Sequence, residues 1–182
     1  MAILSVRQWS TPQCDHLLSR LRCLNQTIRD AGLKLWLQRE LEGYDPLSSL
    51  PWYRVLECRQ RGLFRDRRTG RQHTCHINEG AIAQRDLGAV RFLLLRSPLA
   101  SYLHGHPLEL ERWPAALLDQ YHAQLIPEMA CLCAWKEPLL PVRETLIRGV
   151  DHVLDEYAPT LSHQLVECHR SLRAIQHRHW QI

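Results

Sequence analysis

Lysine is nearly missing from this chain: Lys34 and Lys136 are the only two among 23 basic residues, and the rest are arginine. Arginine is therefore the default surface cation, and a given guanidinium gains no functional meaning from its identity alone. Glycine and proline number only 8 and 10 and no low-complexity stretch occurs, which excludes collagen-like, mucin-like and extensively disordered classes. Long apolar runs are missing too. The longest, Met129 to Trp135, holds seven residues, against the roughly 20 that a membrane-spanning helix needs. Met1 to Ser10 places Arg7 and polar residues where a secretion signal carries its apolar stretch. The seven cysteines are odd in number and irregular in spacing, in a chain too long to need staples, and a reducing compartment is the simpler expectation. The expected location is the cytoplasm, with no membrane partner. A glycine-rich phosphate loop, a Gly-x-Ser-x-Gly elbow and a His-Glu-x-x-His helix are all lacking, which removes the ATPase, serine-hydrolase and zincin classes. No cofactor is expected.

What is present is ordinary globular composition over 182 residues, with a net charge of +4. That length buries enough surface to fold without staples, and the charge permits an anionic partner without requiring one. Leu17, Leu21, Leu24 and Ile28 recur at helical spacing behind Thr11-Pro12, so 11–30 is expected to be a helix capped at Thr11. After Gly32, the stripe Leu33, Leu37, Leu41 and Tyr44 gives a second helix leaving at Gly43. Residues 52–64 read as a strand, Asp66 to Gly70 as a turn and 72–77 as a second strand, forming a β-hairpin. A hairpin alone is marginal and must lie on helices or pair with another edge. Beyond Gly80, helices are expected with Leu87, Val90, Leu94, Leu99 and Leu103 buried, then from Trp113 to Leu125, through Cys131 and Cys133, from Val142 to Tyr157, and from Leu161 to Ile175. The expected fold is α+β and mainly α, a helical bundle with one antiparallel β-hairpin. A single domain over 1–182 would carry the helical hairpin and β-hairpin within 11–125 and C-terminal helices in 128–182.

The strongest electrostatic feature is the hairpin, where Arg54, Arg59, Arg61, Arg65, Arg67, Arg68 and Arg71 outnumber Glu57 and Asp66 to give a net +5. Arg59, Arg61 and Arg65 share one strand face, and Arg67, Arg68 and Arg71 lie at the tip. The six are candidate contacts to RNA or DNA. The same charges also suit a solvated edge strand guarded against sheet aggregation. Cys58, His73, Cys75 and His76 hint at zinc, but a turn centred on Arg68 sets Cys75 opposite Arg61 and points His76 away from His73 and Cys75, so four ligands do not converge. No metal is expected there, at Cys131 and Cys133, or at His104 and His106.

The run Trp36-Leu37-Gln38-Arg39-Glu40-Leu41-Glu42-Gly43-Tyr44, followed by Leu50-Pro51-Trp52-Tyr53-Arg54, resembles the AbiTii domain of bacterial abortive infection. That family's amino-terminal signature is a Trp-x-x-x-Glu-Leu-x-Gly-Tyr helix end followed by Leu-Pro-x-Tyr-Arg entering a strand. The matching positions are Trp36, Glu40, Leu41, Gly43, Tyr44, Leu50, Pro51, Tyr53 and Arg54. The resemblance is specific over 11–64, and the order of elements is compatible to about 125. It implies a non-catalytic interaction or effector module of antiphage defence, with other defence proteins or a second copy as partners. Read as residues, the signature is structural: Gly43 is a helix exit, Pro51 delivers the strand, and Glu40 with Arg54 is expected to form a partly buried ion pair.

An alternative comes from the far end. On a helix, Arg170, Arg173 and His177 share one face, where His exchanges a 2′-hydroxyl proton and Arg steadies phosphorane charge. This resembles the Arg-x(4 to 6)-His element of HEPN-type ribonucleases and implies a metal-independent RNase toxin. The structural alternative is a basic helix end placed favourably on the dipole.

Overall fold

The structure is a computed structural model that describes residues 10–105 and 111–158. In chain order its elements are α1 (Thr11–Thr27), α2 (Ala31–Glu42), a 3-10 turn (Trp52–Arg54), β1 (Val55–Asp66), β2 (Gln72–Ile77), a second 3-10 turn (Glu79–Ala81), α3 (Gln84–Arg91), β3 (Phe92–Leu94), α4 (Leu99–His104), α5 (Ala115–Tyr121) and β4 (Met129–Pro138). A further helix, α6, is described over 142–158. These residues form two compact units whose segments alternate along the chain. The first takes residues up to Ser48, from Arg96 to 105 and from Arg143 onward, and the second takes Ser49 to Leu95 and 111–142.

The first unit is helical. Pro12 stands in the opening turn of α1, and the cap is Ser10 rather than Thr11: the Gln13 side chain reaches back to accept the Ser10 N–H at 2.9 Å. Leu17, Leu21, Leu24 and Ile28 are all buried, as their spacing requires. Asp30 caps α2 by accepting the Leu33 N–H at 2.7 Å. The helix leaves through Gly43 at φ 104°, where an added Cβ would stand 3.0 Å from the Arg96 carbonyl oxygen. That carbonyl accepts the Tyr44 N–H at 2.8 Å and ties the exit to the segment before α4. Along α2 the buried stripe takes Glu40 in place of Leu41, and Tyr44 Oη donates to the Glu40 carboxylate at 2.7 Å. The α1, α2 and α4 helices pack on one another, and α6 buries Leu146, Ile147, Val150 and Leu154.

The second unit corrects the expected fold. It holds a four-stranded antiparallel sheet, not a single hairpin beside a bundle. β1 is shared by all three other strands, pairing with β2 over 60–65, with β3 over 55–57 and with β4 over 58–66. Gln60 to Arg65 pair with β2 and β4 at once, so these two strands lie on opposite edges of β1. A lone hairpin lacks burial for stability, and the missing strand comes from 129–138, which reads as helix from its sequence. Its short apolar run suits either state. Leu132 sits at a bulge between the pairs Leu63–Cys133 and Phe64–Cys131 and breaks the alternation that marks a strand. The helix expected through Leu94 stops at Arg91, and Leu94 stands in β3, half exposed.

One sheet face carries the core, with Phe64, Ile77, Ile82, Val90, Trp113, Tyr121, Leu125, Cys131 and Ala134 packed together. Gln60 lies among them, 1% exposed. Its amide nitrogen donates to the carbonyls of Cys58 at 3.1 Å and Val90 at 2.9 Å, and its oxygen accepts the Trp113 indole N–H at 2.9 Å. Across the ladder from Gln60, Lys136 is also buried, donating to Glu111 at 2.7 Å and to the Phe92 carbonyl at 3.0 Å.

Replacing Gln60 with Leu orphans the Trp113 indole N–H and the Val90 carbonyl, at about 1–3 kcal/mol for each group. In urea unfolding the Trp113→Phe change should cost less in the Q60L background than in the wild type. Strictly additive losses would show that the amide does not link the two segments.

Candidate nucleic-acid interface

Burial of Leu56, Cys58, Gln60, Gly62 and Phe64 on one face of β1 fixes its odd-numbered residues on the other. Arg59, Arg61 and Arg65 therefore share a face, with Arg59 and Arg65 exposed and Arg61 half-buried. Arg59 Nε donates to Glu137 Oε2 at 2.8 Å from the facing position on β4. Arg61 stands 3.6 Å from the same oxygen, and its Nε is buried with no acceptor. Arg65 faces Gln72 on β2 and Ala130 on β4.

Arg67, Arg68 and Arg71 stand at the tip, all exposed. The turn is rigid because Asp66 folds it from both ends. Its Oδ1 accepts the N–H groups of Arg68 and Thr69, each at 2.7 Å, and its backbone accepts the Gly70 N–H and donates to the Arg71 carbonyl, both at 2.9 Å. Gly70 supplies φ +70°. The two backbone donors, Thr69 first, hold the Asp66 carboxyl below the usual carboxylate range. The loop is thus centred between Arg68 and Thr69, not on Arg68, which moves the register by one: His76 faces Arg61 and Cys75 faces Gly62. His73, Cys75 and Ile77 consequently share the core side with Phe64, while Gln72, Thr74 and His76 share the arginine side.

Two residues on the arginine face are not legible from the sequence. Trp135 faces Arg61 across β4, and Arg112 forms an isolated bridge to Trp135 on the far edge. Both depend on β4 being a strand, and the apolar stretch around Trp135 was the only available signal.

The remaining candidates separate by burial. Among the signature positions, Glu40, Tyr44, Tyr53 and Arg54 are buried, whereas Trp36, Leu41, Gly43, Leu50 and Pro51 are half-buried. Arg54 is 0% exposed, and one guanidinium nitrogen donates to the Leu95 carbonyl at 2.6 Å. Glu40 lies in the first unit and Arg54 in the second. Cys58 and Cys131 are buried, and burial pushes each thiol up to about 11, so both are protonated at neutral pH. No group of three or more His, Cys, Asp or Glu gathers at a metal-binding spacing among the described residues. No helix among them is long and apolar enough to cross a membrane. Arg170, Arg173 and His177 lie outside the described residues. Comparison with protein-family models, curated proteins and solved structures finds no match to the chain.

Because the Asp66 carboxyl is depressed, its contribution to the turn is complete above the ordinary carboxylate value near 3.9 and is lost as pH falls through its lowered value. Thermal unfolding of an Asp66→Ala variant should show a deficit against wild type at pH 7 that narrows on acidification below about pH 4. A deficit independent of pH would assign the loss to something other than the ionised cap.

Proposed function

We propose that this chain is a non-catalytic interaction module of bacterial antiphage defence, of the AbiTii type that residues 36–54 resemble, and that it works in the cytoplasm through contact with nucleic acid. The supporting observation is where the arginines stand. A charged strand needs no binding role if its charges guard an edge, but β1 is paired on both sides over 60–65. Arg61 and Arg65 therefore protect no open edge, and they continue into the exposed Arg67, Arg68 and Arg71 on a turn fixed by Asp66. A turn fixed in this way presents guanidinium groups to phosphates at little ordering cost. The buried Glu40, Tyr53 and Arg54 serve as scaffold, which leaves partner contact to the exposed hairpin. Other defence proteins or a second copy would then assemble with the nucleic-acid-bound form.

The test is fluorescence anisotropy of the full chain with labelled RNA and DNA across a salt series. Wild type should bind with an affinity that falls steeply with salt. Converting Arg67, Arg68 and Arg71 to Gln should flatten the log–log salt slope by about 2 on a single strand. An unchanged slope would remove the tip from the interface, and RNA cleavage in EDTA would overturn the non-catalytic reading.

A further inference from the structure

The arginine side of the sheet carries more than charge. His76, Arg61, Trp135 and Arg112 stand directly opposite one another in sequence across β2, β1, β4 and the bridging segment. Directly paired residues point to the same face, so the four form one row across the sheet. At 4.7–4.9 Å per strand spacing, the row is about 14 Å long. Trp113 N–H donates to the Ala134 carbonyl at 2.9 Å and Lys136 N–H to the Glu111 carbonyl at 2.8 Å. These bonds bracket the Arg112–Trp135 pair in the non-hydrogen-bonded setting, which brings facing side chains closest. Trp135 is half-buried, while His76 and Arg112 are exposed. Arg59 donates to Glu137 at 2.8 Å, and Arg61 Nη1 forms a looser ion pair with the same oxygen at 3.6 Å, outside hydrogen-bond range, so that Arg61 keeps donors free for a phosphate while its Nε stays buried and unpaired.

We propose that this face binds single-stranded nucleic acid, with a base stacked on Trp135 and the phosphate backbone held by Arg61 and Arg112 on either side. The inference rests on the nucleic-acid reading above and adds the form of the ligand and the residue that selects it. Charge complementarity gives the occupant, since a row of cations with one indole between them matches alternating phosphate and base. Width gives the form. A two-stranded ribbon fits the major groove, which is about 12 Å wide, whereas three strands with a bridging fourth segment present a platform too broad to enter it. Bases in a duplex are stacked on one another and hidden from an indole on a flat surface, and those of a single strand are free to stack. The hairpin tip then supplies sequence-independent phosphate contacts, and Trp135 supplies the preference for unpaired bases.

The experiment is anisotropy of the full chain with a labelled 12-nucleotide single strand, as RNA and as DNA, and with the duplex of the same sequence. The single strand should bind at least tenfold tighter than the duplex. Trp135→Leu should lose about tenfold on the single strand, within the range of one base–aromatic stack, and little on the duplex, while Trp135→Phe should keep most of the affinity. Duplex binding as tight as single-strand binding would overturn the inference, as would a Leu variant that melts like wild type and binds unchanged. Should the Leu variant fail to fold, photocross-linking of a 4-thiouridine strand to unaltered protein decides the matter: adducts on 129–138 support the platform, and adducts confined to 66–71 overturn it. If no nucleic acid binds wild type, the functional reading falls with the inference. Binding that favours duplex leaves the functional reading standing and removes only the platform.

Discussion

A neutral amide fixes which face of β1 turns inward. Gln60 sits in the centre of β1 with its donors given to Cys58 and Val90 and its acceptor taken by Trp113. A polar side chain at 1% exposure is stable only when such bonds are made, so the site accepts one arrangement of α3, β1 and the segment before α5. Since side chains alternate along a strand, fixing Gln60 inward fixes Phe64 inward and Arg59, Arg61 and Arg65 outward. A slip by one residue would bury three guanidinium groups and expose Phe64. The basic face is thus a consequence of the polar core rather than a feature laid on a finished surface.

The same core divides structural from surface charge. Lys136 and Arg54 are cations spent inside the fold, each donating to backbone carbonyls. Arg59 is neutralised by Glu137 at the margin of the open face. Arg65, Arg67, Arg68, Arg71 and Arg112 remain exposed. In a chain where nearly every cation is arginine, identity distinguishes none of these roles, and burial and partners distinguish them all. Glu137 has a particular part: it holds Arg59 at 2.8 Å and stands 3.6 Å from Arg61, and so marks the side of the row on which the positive potential is partly cancelled.

Helical spacing and turn chemistry made part of this legible. The stripe Leu17, Leu21, Leu24 and Ile28 marks α1, strand 72–77 coincides with β2, and the common face of Arg59, Arg61 and Arg65 follows from period two alone. The miss was β4. Seven apolar residues without alternation fit helix or buried strand equally, and the bulge at Leu132 removed what periodicity there was. With β4 went Trp135, Arg112 and the central position of β1, since pairing partners distant in sequence leave no local trace. The hairpin register differs by one from that of a turn centred on Arg68 because Asp66 closes the loop through both its carboxylate and its backbone. Along α2, Glu40 displaced Leu41 from the buried stripe because Tyr44 offers it a hydroxyl.

Neither compact unit is continuous in the chain, and this bears on synthesis. The sheet unit lacks its second β1 edge until β4 is made, and the chain leaves β1 at Asp66 and reaches β4 only at Met129. During that interval a growing chain holds a hairpin with one row of backbone groups unpaired, the state most open to wrong strand pairing. The helical unit waits longer still, because α6 begins after β4 ends. Both units are therefore completed late and close together, and a ribosome stalled between 95 and 129 would display two half-built cores instead of one finished unit and one unfolded tail.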